Sequence, residues 1–573
     1  VLRTKKVIGQ NIQFDVTRLE QWGFAIENII GDTMLAHHLL WTELGRPVVR
    51  KHSKEKAGID DLAGKHSLDF IVSIYCDNQP YYKDESTNAW EEPGLTTEAR
   101  WFRYWRYNCL DACCTFEAWQ GLSAELTRYG QLDYYNTCVN SLIRPIMQMQ
   151  STGLAVDFPA LNAVRHRMEL ETELLQLRLN RALGFACNVR STTDMRYLIY
   201  DLLELRPRKV TKGGAASVDE DTILELAYKS PHADLFRLIL DIRKRRTLVS
   251  GFLGLETDED GRYHAAYLIH GTDSGRLSSR AIRKGPQLQN IPKSARKIFI
   301  AKPGHVLLSG DLKRAEAMYV AFDSGDPFLM RLFADASRDM YLEAASQSLG
   351  VGIDDCMPYR DCFKHVVLAS NYGMGPSKLI VVLRTVADPP IYIEEIPIRG
   401  ITAPLKRAEY LLESYHERAR GVRLWQKRIT EEVSRERTLH DSFGRRRVFL
   451  GRLDPHTFGA AFSFRPQASI VGIANRAIRL LHAAGLPVVA QTHDEVLMEV
   501  PEAELERHAA LLELAMTYEL SVYDGRKVTV PVELKSGRSW GEMVALPPRT
   551  QDVVVATLKD EEPHEHNQRS TTP

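Results

Sequence analysis

Arg360-Asp361-Cys362-Phe363-Lys364-His365-Val366-Val367-Leu368-Ala369-Ser370-Asn371-Tyr372-Gly373 is the stretch on which the reading of the chain turns. Positions 360, 364, 368 and 372 are four apart, so at ~100° per residue they share one slowly drifting helix face. That face carries two cations, an apolar residue and a tyrosine. It suits a nucleoside triphosphate laid along a helix, with Arg360 and Lys364 against phosphates, Leu368 near sugar and base, and Tyr372 beside the base pair. It also suits an amphipathic helix whose cations are solvated.

Two segments flank this helix. His305-Val306-Leu307-Leu308-Ser309-Gly310-Asp311 is an apolar run ending in Gly-Asp, which predicts a buried strand delivering a carboxylate, with Leu312 to Phe322 helical beyond it. An aspartate that forms a turn or caps the helix is the plainer reading. Pro487 to Val500 reads as strand, tight turn and strand, with His493-Asp494-Glu495 at the junction. A carboxylate at a hairpin apex can stand beside another strand's end, so Asp494 and Asp311 could hold a divalent metal whose shell is completed by phosphate oxygens. A hydrolase dyad or a bare turn would use the same three letters.

At 573 residues the chain exceeds a single core and should fold as about three to five units. No apolar run reaches the ~18 to 20 residues of a membrane span, and the basic start, Val1 to Ile8, is not a secretion signal, so an intracellular protein is expected. The eight cysteines match neither zinc pairs nor a disulfide framework, and Cys109, Cys113 and Cys114 read as buried thiols. The 74 basic residues balance the 74 acidic ones, unlike many clearly basic DNA-binding domains. The balance is global: cations bunch at Arg243 to Arg246, Arg276 to Arg283, Lys293 to Lys297 and Arg445 to Arg447, so a positive channel inside a neutral molecule is expected.

Residues 1–130 read as mixed α/β and end in an aromatic, cysteine-rich helix from Trp101 to Leu126. A long helix follows Pro159, with Leu161, Val164, Met168, Leu175 and Leu179 at helical spacing. Small residues from Thr211 to Ser217 suit either a close backbone approach to a ligand or a plain loop. The Pro-rich, polar tail at 547–573 is expected to be disordered.

Together, the three segments in this order and spacing resemble the palm and fingers motifs of family A, bacterial polymerase-I-like DNA polymerases. Asp311 and Glu316 stand where that family's first motif has its acidic pair, the helix matches its Arg-x-x-x-Lys-x-x-x-aromatic-x-x-x-Tyr-Gly pattern, and His493-Asp494-Glu495 matches its last motif. Further matches are Ser274 to Ser279, Gln287 to Pro292, Phe443-Gly444-Arg445-Arg446-Arg447, Gln467 and Ser536-Gly537-Arg538-Ser539-Trp540. The resemblance spans residues 9–545.

What the resemblance implies is an α/β multidomain right hand: thumb at 136–255, palm at 256–330 and 428–546, fingers at 331–427. Its implied chemistry joins deoxynucleoside triphosphates to a primer 3′-hydroxyl on template DNA, with two Mg²⁺ ions, or Mn²⁺ in their place, held by Asp311, Asp494 and the Leu312 backbone. Lys364 is the implied general acid for pyrophosphate and Glu495 a supporting carboxylate. Glu316 gates against a 2′-hydroxyl, and Arg276, Gln289, Asn290, Gln467 and His493 read or line the minor groove. The chain departs from the family pattern where Leu368 replaces an aromatic residue and Tyr341 replaces a histidine, which puts sugar discrimination and triphosphate affinity in doubt and leans toward a viral source acting in host cytoplasm.

The N-terminal region resembles the same family's ribonuclease-H-like 3′–5′ exonuclease. Gly9 to Asp15 matches its second motif, and Tyr107 to Asp111, a Tyr-x-x-x-Asp, matches its third. No acidic residue precedes Asp15, so the Asp-x-Glu pair of a complete two-metal site is missing, and the expectation is an incomplete domain at 1–130 without proofreading, or one completed by strands on a separate chain. A nuclease acting through this region alone and a non-catalytic DNA-binding remnant are the competing function classes.

Overall fold

A computed structural model of the chain describes residues 2–45, 66–77 and 94–547, except 208, 212–213, 253, 336 and 388–389. The tail from 548 onward, and Lys212 and Gly213 of the small-residue loop, lie outside the described residues.

Near the N-terminus, strands Val7–Gly9 and Ile29–Asp32 pair in parallel, which demands a crossover, and helix Ile12–Gln21 supplies it. The buried carboxylate of Asp32 stitches this unit together, accepting the backbone N–H groups of Asn11 (3.2 Å), Ile12 (2.8 Å), Met34 (2.9 Å) and Leu35 (3.2 Å). Burial pushes its carboxyl up to about 6.

Helix α1 (Thr97–Arg128) starts where the Thr96 hydroxyl caps the Ala99 N–H at 3.2 Å. Only its second half is sealed against the strands, with the Trp119 ring so close to Gly31 that a Cβ there would lie 2.7 Å from it. Trp101, Phe102 and Trp105 in its first half are exposed. The expectation for the cysteines needs correcting: Cys109 and Cys113 are exposed, and Cys114 alone is buried, against Val72. Successive helical positions rotate by ~100°, so three cysteines within six residues cannot all face one side.

Helix α2 (Phe158–Leu183) is capped by Asp157, which accepts the Ala160 N–H at 2.9 Å, and stops at Gly184, whose φ of 76° is readily adopted by glycine. Its last turns join Leu198, Ile199, Phe236 and Ile239 in a separate apolar cluster.

The site rests on a five-stranded antiparallel sheet. Strand β1 (His305–Leu312) leads into α3 (Ala315–Ser324), followed by α4 (Met340–Leu349), α5 (Arg360–Asn371), α6 (Arg420–Glu436) and α7 (Pro455–Ala483). Then come β2 (Val488–Thr492), β3 (Glu495–Pro501), β4 (Val532–Gly537) and β5 (Val544–Ala545), in the sheet order β2-β3-β1-β4-β5. Gly310 is required by packing: a Cβ there would lie 3.1 Å from Leu512 and nearer still to Met516, on the helix crossing the strand.

A second apolar cluster contains α4 and α5 and centres on Trp425, whose Nε1 donates to buried Asp323 at 2.6 Å, while Asp323 also accepts the Tyr523 N–H at 2.8 Å. This cluster runs from Ala317 on α3 to Ala468 on α7, and the sequence limit at 427/428 falls inside the unbroken helix α6.

Of the cationic bunches, the one at Arg445 to Arg447 is turned partly inward, for Arg445 and Arg447 are buried. Arg447 pairs with Asp273 at 2.9 Å, Arg446 lies 4.1 Å over the Tyr129 ring, and the Gln131 side chain bonds the Gly444 carbonyl and the Arg446 N–H, each at 3.0 Å. Guanidinium groups satisfied by a carboxylate and an aromatic face act here as struts. Among the described residues no helix is long and apolar enough to cross a membrane.

Trp425→Phe removes the indole donor and leaves buried Asp323 short of a partner. It should cost about 1–3 kcal/mol in urea unfolding, whereas Trp105→Phe on the exposed face of α1 should stay within about 0.5 kcal/mol.

Candidate active site

Strand register brings the acidic groups together. Antiparallel pairing sets Glu495 of β3 opposite Asp311 of β1, and Glu533 of β4 opposite Asp311 on its other side. Thr492 pairs with Glu495, so His493 and Asp494 form a two-residue turn, with His493 at φ 57°. Asp494 therefore stands one residue from the position facing Asp311.

Electrostatics mark these two carboxylates. Burial, and then Asp311, push the Asp494 carboxyl up to about 7, while Asp311 is raised by burial and by Glu495 and is eased by Lys535 and Lys293. Like charges held together in a half-dry pocket favour a proton or a cation.

Glu495 is engaged otherwise. Its Oε1 accepts from Ser309 Oγ (2.7 Å) and Trp540 Nε1 (2.9 Å), and its Oε2 accepts from Arg296 Nη1 (2.9 Å), with the Arg296 guanidinium 4.2 Å over the Trp540 ring. With both oxygens taken, Glu495 is a brace for the hairpin. Arg296, Ser309 and Trp540 were not assigned this task from sequence, although Trp540 sits in a quoted motif and Arg296 in a basic bunch.

The segment before β1 and helix α5 meet at Glu316, in the first turn of α3, which accepts from both Arg276 Nη2 and the Tyr372 hydroxyl. Burial and the neighbouring Glu316 hold the Tyr372 phenol protonated. Burial, and then Arg276 and Arg296, lower the His493 imidazole, and the Gln289 side chain accepts from Ser279 and donates to the Leu277 carbonyl at 3.4 Å. The Asn290 amide donates to Gln287 at 2.8 Å, and Gln467 lies half-buried on α7.

Helix α5 has the expected faces. Cys362, Phe363, Val366, Val367 and Ala369 are buried, whereas Lys364 is exposed and Arg360 and Leu368 are half-exposed. Gly373, with φ 66°, ends it. Arg360 is held by Asp339 and lies 5.3 Å from the Tyr341 ring centre.

The N-terminal motif residues are not gathered in this way. Asp15 is exposed on helix Ile12–Gln21, which packs on strand Val7–Gly9 and on helix Ile143–Thr152, while Tyr107 borders the small cluster around Val72 on α1. Asp111 follows Tyr107 by one turn of α1.

Among the described residues, no three carboxylate, His or Cys groups are arranged to hold a metal ion. A divalent ion at the Asp311–Asp494 pair must therefore draw on backbone, water and substrate phosphate, the donor set that magnesium prefers. The raised carboxyls fit such an ion.

A family model described as DNA polymerase family A matches residues 159–542. DNA polymerase I of Treponema pallidum is 27% identical over 461 residues, covering 76% of this chain and 43% of that protein. The thermostable DNA polymerase I of Thermus filiformis is 29% identical over 434 residues, covering 71% of this chain and 48% of that protein. The chain spans about half the length of the curated relatives it matches. A solved structure titled as the POL domain of Pol1 from M. smegmatis in complex with DNA primer-template and dNTP has the same fold, with a TM-score of 0.71 at 23% identity, over 93% of this chain and 86% of that one.

The raised carboxyl of Asp494 has a consequence for stability. An unfolded aspartate titrates near ~3.9, so the folded, metal-free protein holds this proton more tightly and pays for the charge at pH 8. Asp494→Asn should raise the metal-free Tm by a few °C at pH 8, and the gap should shrink as pH falls through about 7 toward the unfolded value. Differential scanning fluorimetry in chelator reads this directly. An equal gap at pH 8 and pH 5 would contradict it.

Proposed function

We propose, since the chain belongs to DNA polymerase family A, that it is a template-directed DNA polymerase adding deoxynucleotides to a primer 3′-hydroxyl. The observation that carries the reading is the register that places the Asp494 turn beside the Asp311 strand end, with the cationic face of α5 in the same molecule. Asp311, Asp494 and the Leu312 carbonyl would hold two Mg²⁺ ions, for which Mn²⁺ can substitute. When bound, these ions lower the pKa of the attacking hydroxyl and neutralise charge on the leaving pyrophosphate.

The chain's own groups do the rest. The primer oxygen bonds to the α-phosphorus as the bond to the β-phosphate oxygen breaks. Arg360 and Lys364 face the β- and γ-phosphates, and Lys364 delivers a proton to the departing pyrophosphate. Leu368 packs on sugar and base, Tyr341 borders the triphosphate, and Tyr372 supports the pair.

Glu316, tied to Arg276 and Tyr372, closes the space beside C2′ and excludes a ribose hydroxyl. Arg276, Gln289, Asn290, Gln467 and His493 test minor-groove acceptors, which nearly every correct pair shares, so geometry is checked without naming the base. Glu495 braces the hairpin. With Asp15 and Asp111 present and no Asp-x-Glu pair before them in this sequence, we assign no proofreading to these residues. A separate chain completing that unit stays a proposal. We place the work in the cytoplasm, the host's for a viral source.

Asp494→Ala should abolish primer extension with Mg²⁺ while primer-template affinity stays within about tenfold, because DNA is held mainly through phosphate contacts elsewhere. Robust extension by this variant would overturn the site assignment. Glu316→Ala should raise the ratio of ribonucleotide to deoxynucleotide incorporation by at least about tenfold in single-nucleotide assays, and an unchanged ratio would move the gate elsewhere.

A further inference from the structure

Asp339 takes no part in the chemistry described above, yet its two carboxylate oxygens are divided between two tasks. Oδ1 caps α4, accepting the Tyr341 N–H at 2.9 Å and the Leu342 N–H at 3.3 Å. Oδ2 accepts from Arg360 Nε at 2.9 Å and pairs with its Nη2 at 2.8 Å. An N-cap needs one acceptor, and an asparagine or a serine serves as well. The second oxygen is therefore not explained by the helix.

The geometry of the pair is informative. Asp339 occupies the Nε–Nη2 edge of the guanidinium, and Nη1 lies 3.9 Å from Asp361 at the solvent side of the helix start. The Tyr341 ring, 5.3 Å from the Arg360 Cζ, closes another side. A planar guanidinium fixed along one edge still offers its other N–H groups in a set direction, and a fixed fork loses less freedom on meeting a phosphate than a swinging one. The side chains remain 35% (Arg360) and 25% (Asp339) exposed, open enough for a ligand to reach the cation.

We propose that Asp339 is a positioning residue that presets Arg360 for the phosphates of the incoming nucleotide, joining the cap of α4 to the first residue of α5. The inference rests on the polymerase reading above. It gives α4 a role in nucleotide affinity: any shift of its N-terminus against α5 moves the cation.

The test is Asp339→Asn in the full chain, with single-turnover incorporation measured against deoxynucleotide concentration. Asparagine keeps the cap and the shape and loses the charged acceptor. The nucleotide Kd should rise about tenfold, the loss expected for a weakened charge-assisted contact, with the maximum rate and primer-template affinity changed less than about threefold. In an Arg360→Ala background the same substitution should have no further effect, because its action runs through Arg360.

Asp339→Asn with parental kinetics would show a helix cap and nothing more. A lower Kd would show that Asp339 withholds Arg360 from the nucleotide. An equal loss in both backgrounds would show a general structural effect. Each of these results overturns the proposal. Absence of extension by the parent chain would instead overturn the polymerase reading itself, so the two failures are distinguishable.

Discussion

The site depends on how β3 is held against β1. That register places Glu495 opposite Asp311, and a slip of one residue would turn every side chain of β3 to the other face and carry the Asp494 turn away. The apolar centre of the pair restricts slippage, since Val496, Leu497 and Met498 face Gly310, Ser309 and Leu308 inside the core. Glu495 fixes the end. Its oxygens draw in Ser309 from β1, Trp540 from beyond β4 and Arg296 from the segment before β1, so one carboxylate joins three separate parts of the chain beside the turn. A half-buried charge with three donors is costly to disturb, because removing one partner strands the others.

Outward from this brace, the same logic of satisfied buried charge recurs. Glu316 gathers Arg276 and Tyr372 at the start of α3, Asp323 gathers Trp425 and the Tyr523 backbone, and Asp32 gathers four N–H groups in the N-terminal unit. The two catalytic candidates are the exception. Asp311 and Asp494 are pressed together with few donors, and their raised carboxyls record it. The contrast between well-satisfied braces and an under-satisfied pair is the physical ground for the proposal that this pair holds a cation.

The parts legible in the sequence are those with local cause. The face of α5 follows from spacing of four, the strand of Asp311 from an unbroken apolar run, and the hairpin of Asp494 from polar letters between two apolar ones. Helix α2 is announced by Pro159 and by the helical spacing of Leu161, Val164, Met168, Leu175 and Leu179. Pairings across long separations were not legible: Arg296 and Ser309 lie 199 and 186 residues from Glu495, and nothing in their neighbourhoods names that partner. The burial of Arg445 and Arg447 was not legible for the same reason, because charge in a sequence carries no sign of the aromatic face or carboxylate that will cover it. The limit drawn at 427/428 was not legible as an edge because α6 is one unbroken helix whose buried residues all lie in one core, whereas α7 divides its own between two.

The central claim is that Asp311 and Asp494 jointly hold divalent metal at the nucleotide. Anomalous diffraction at the manganese edge, from crystals of the chain with primer-template, a matched deoxynucleotide and Mn²⁺, tests it most directly. The account predicts manganese peaks within bonding distance of both carboxylates and of nucleotide phosphate oxygens, with none on Glu495. Manganese bound to the triphosphate without contact to Asp311 or Asp494, or coordinated by Glu495 in place of Asp494, would contradict it.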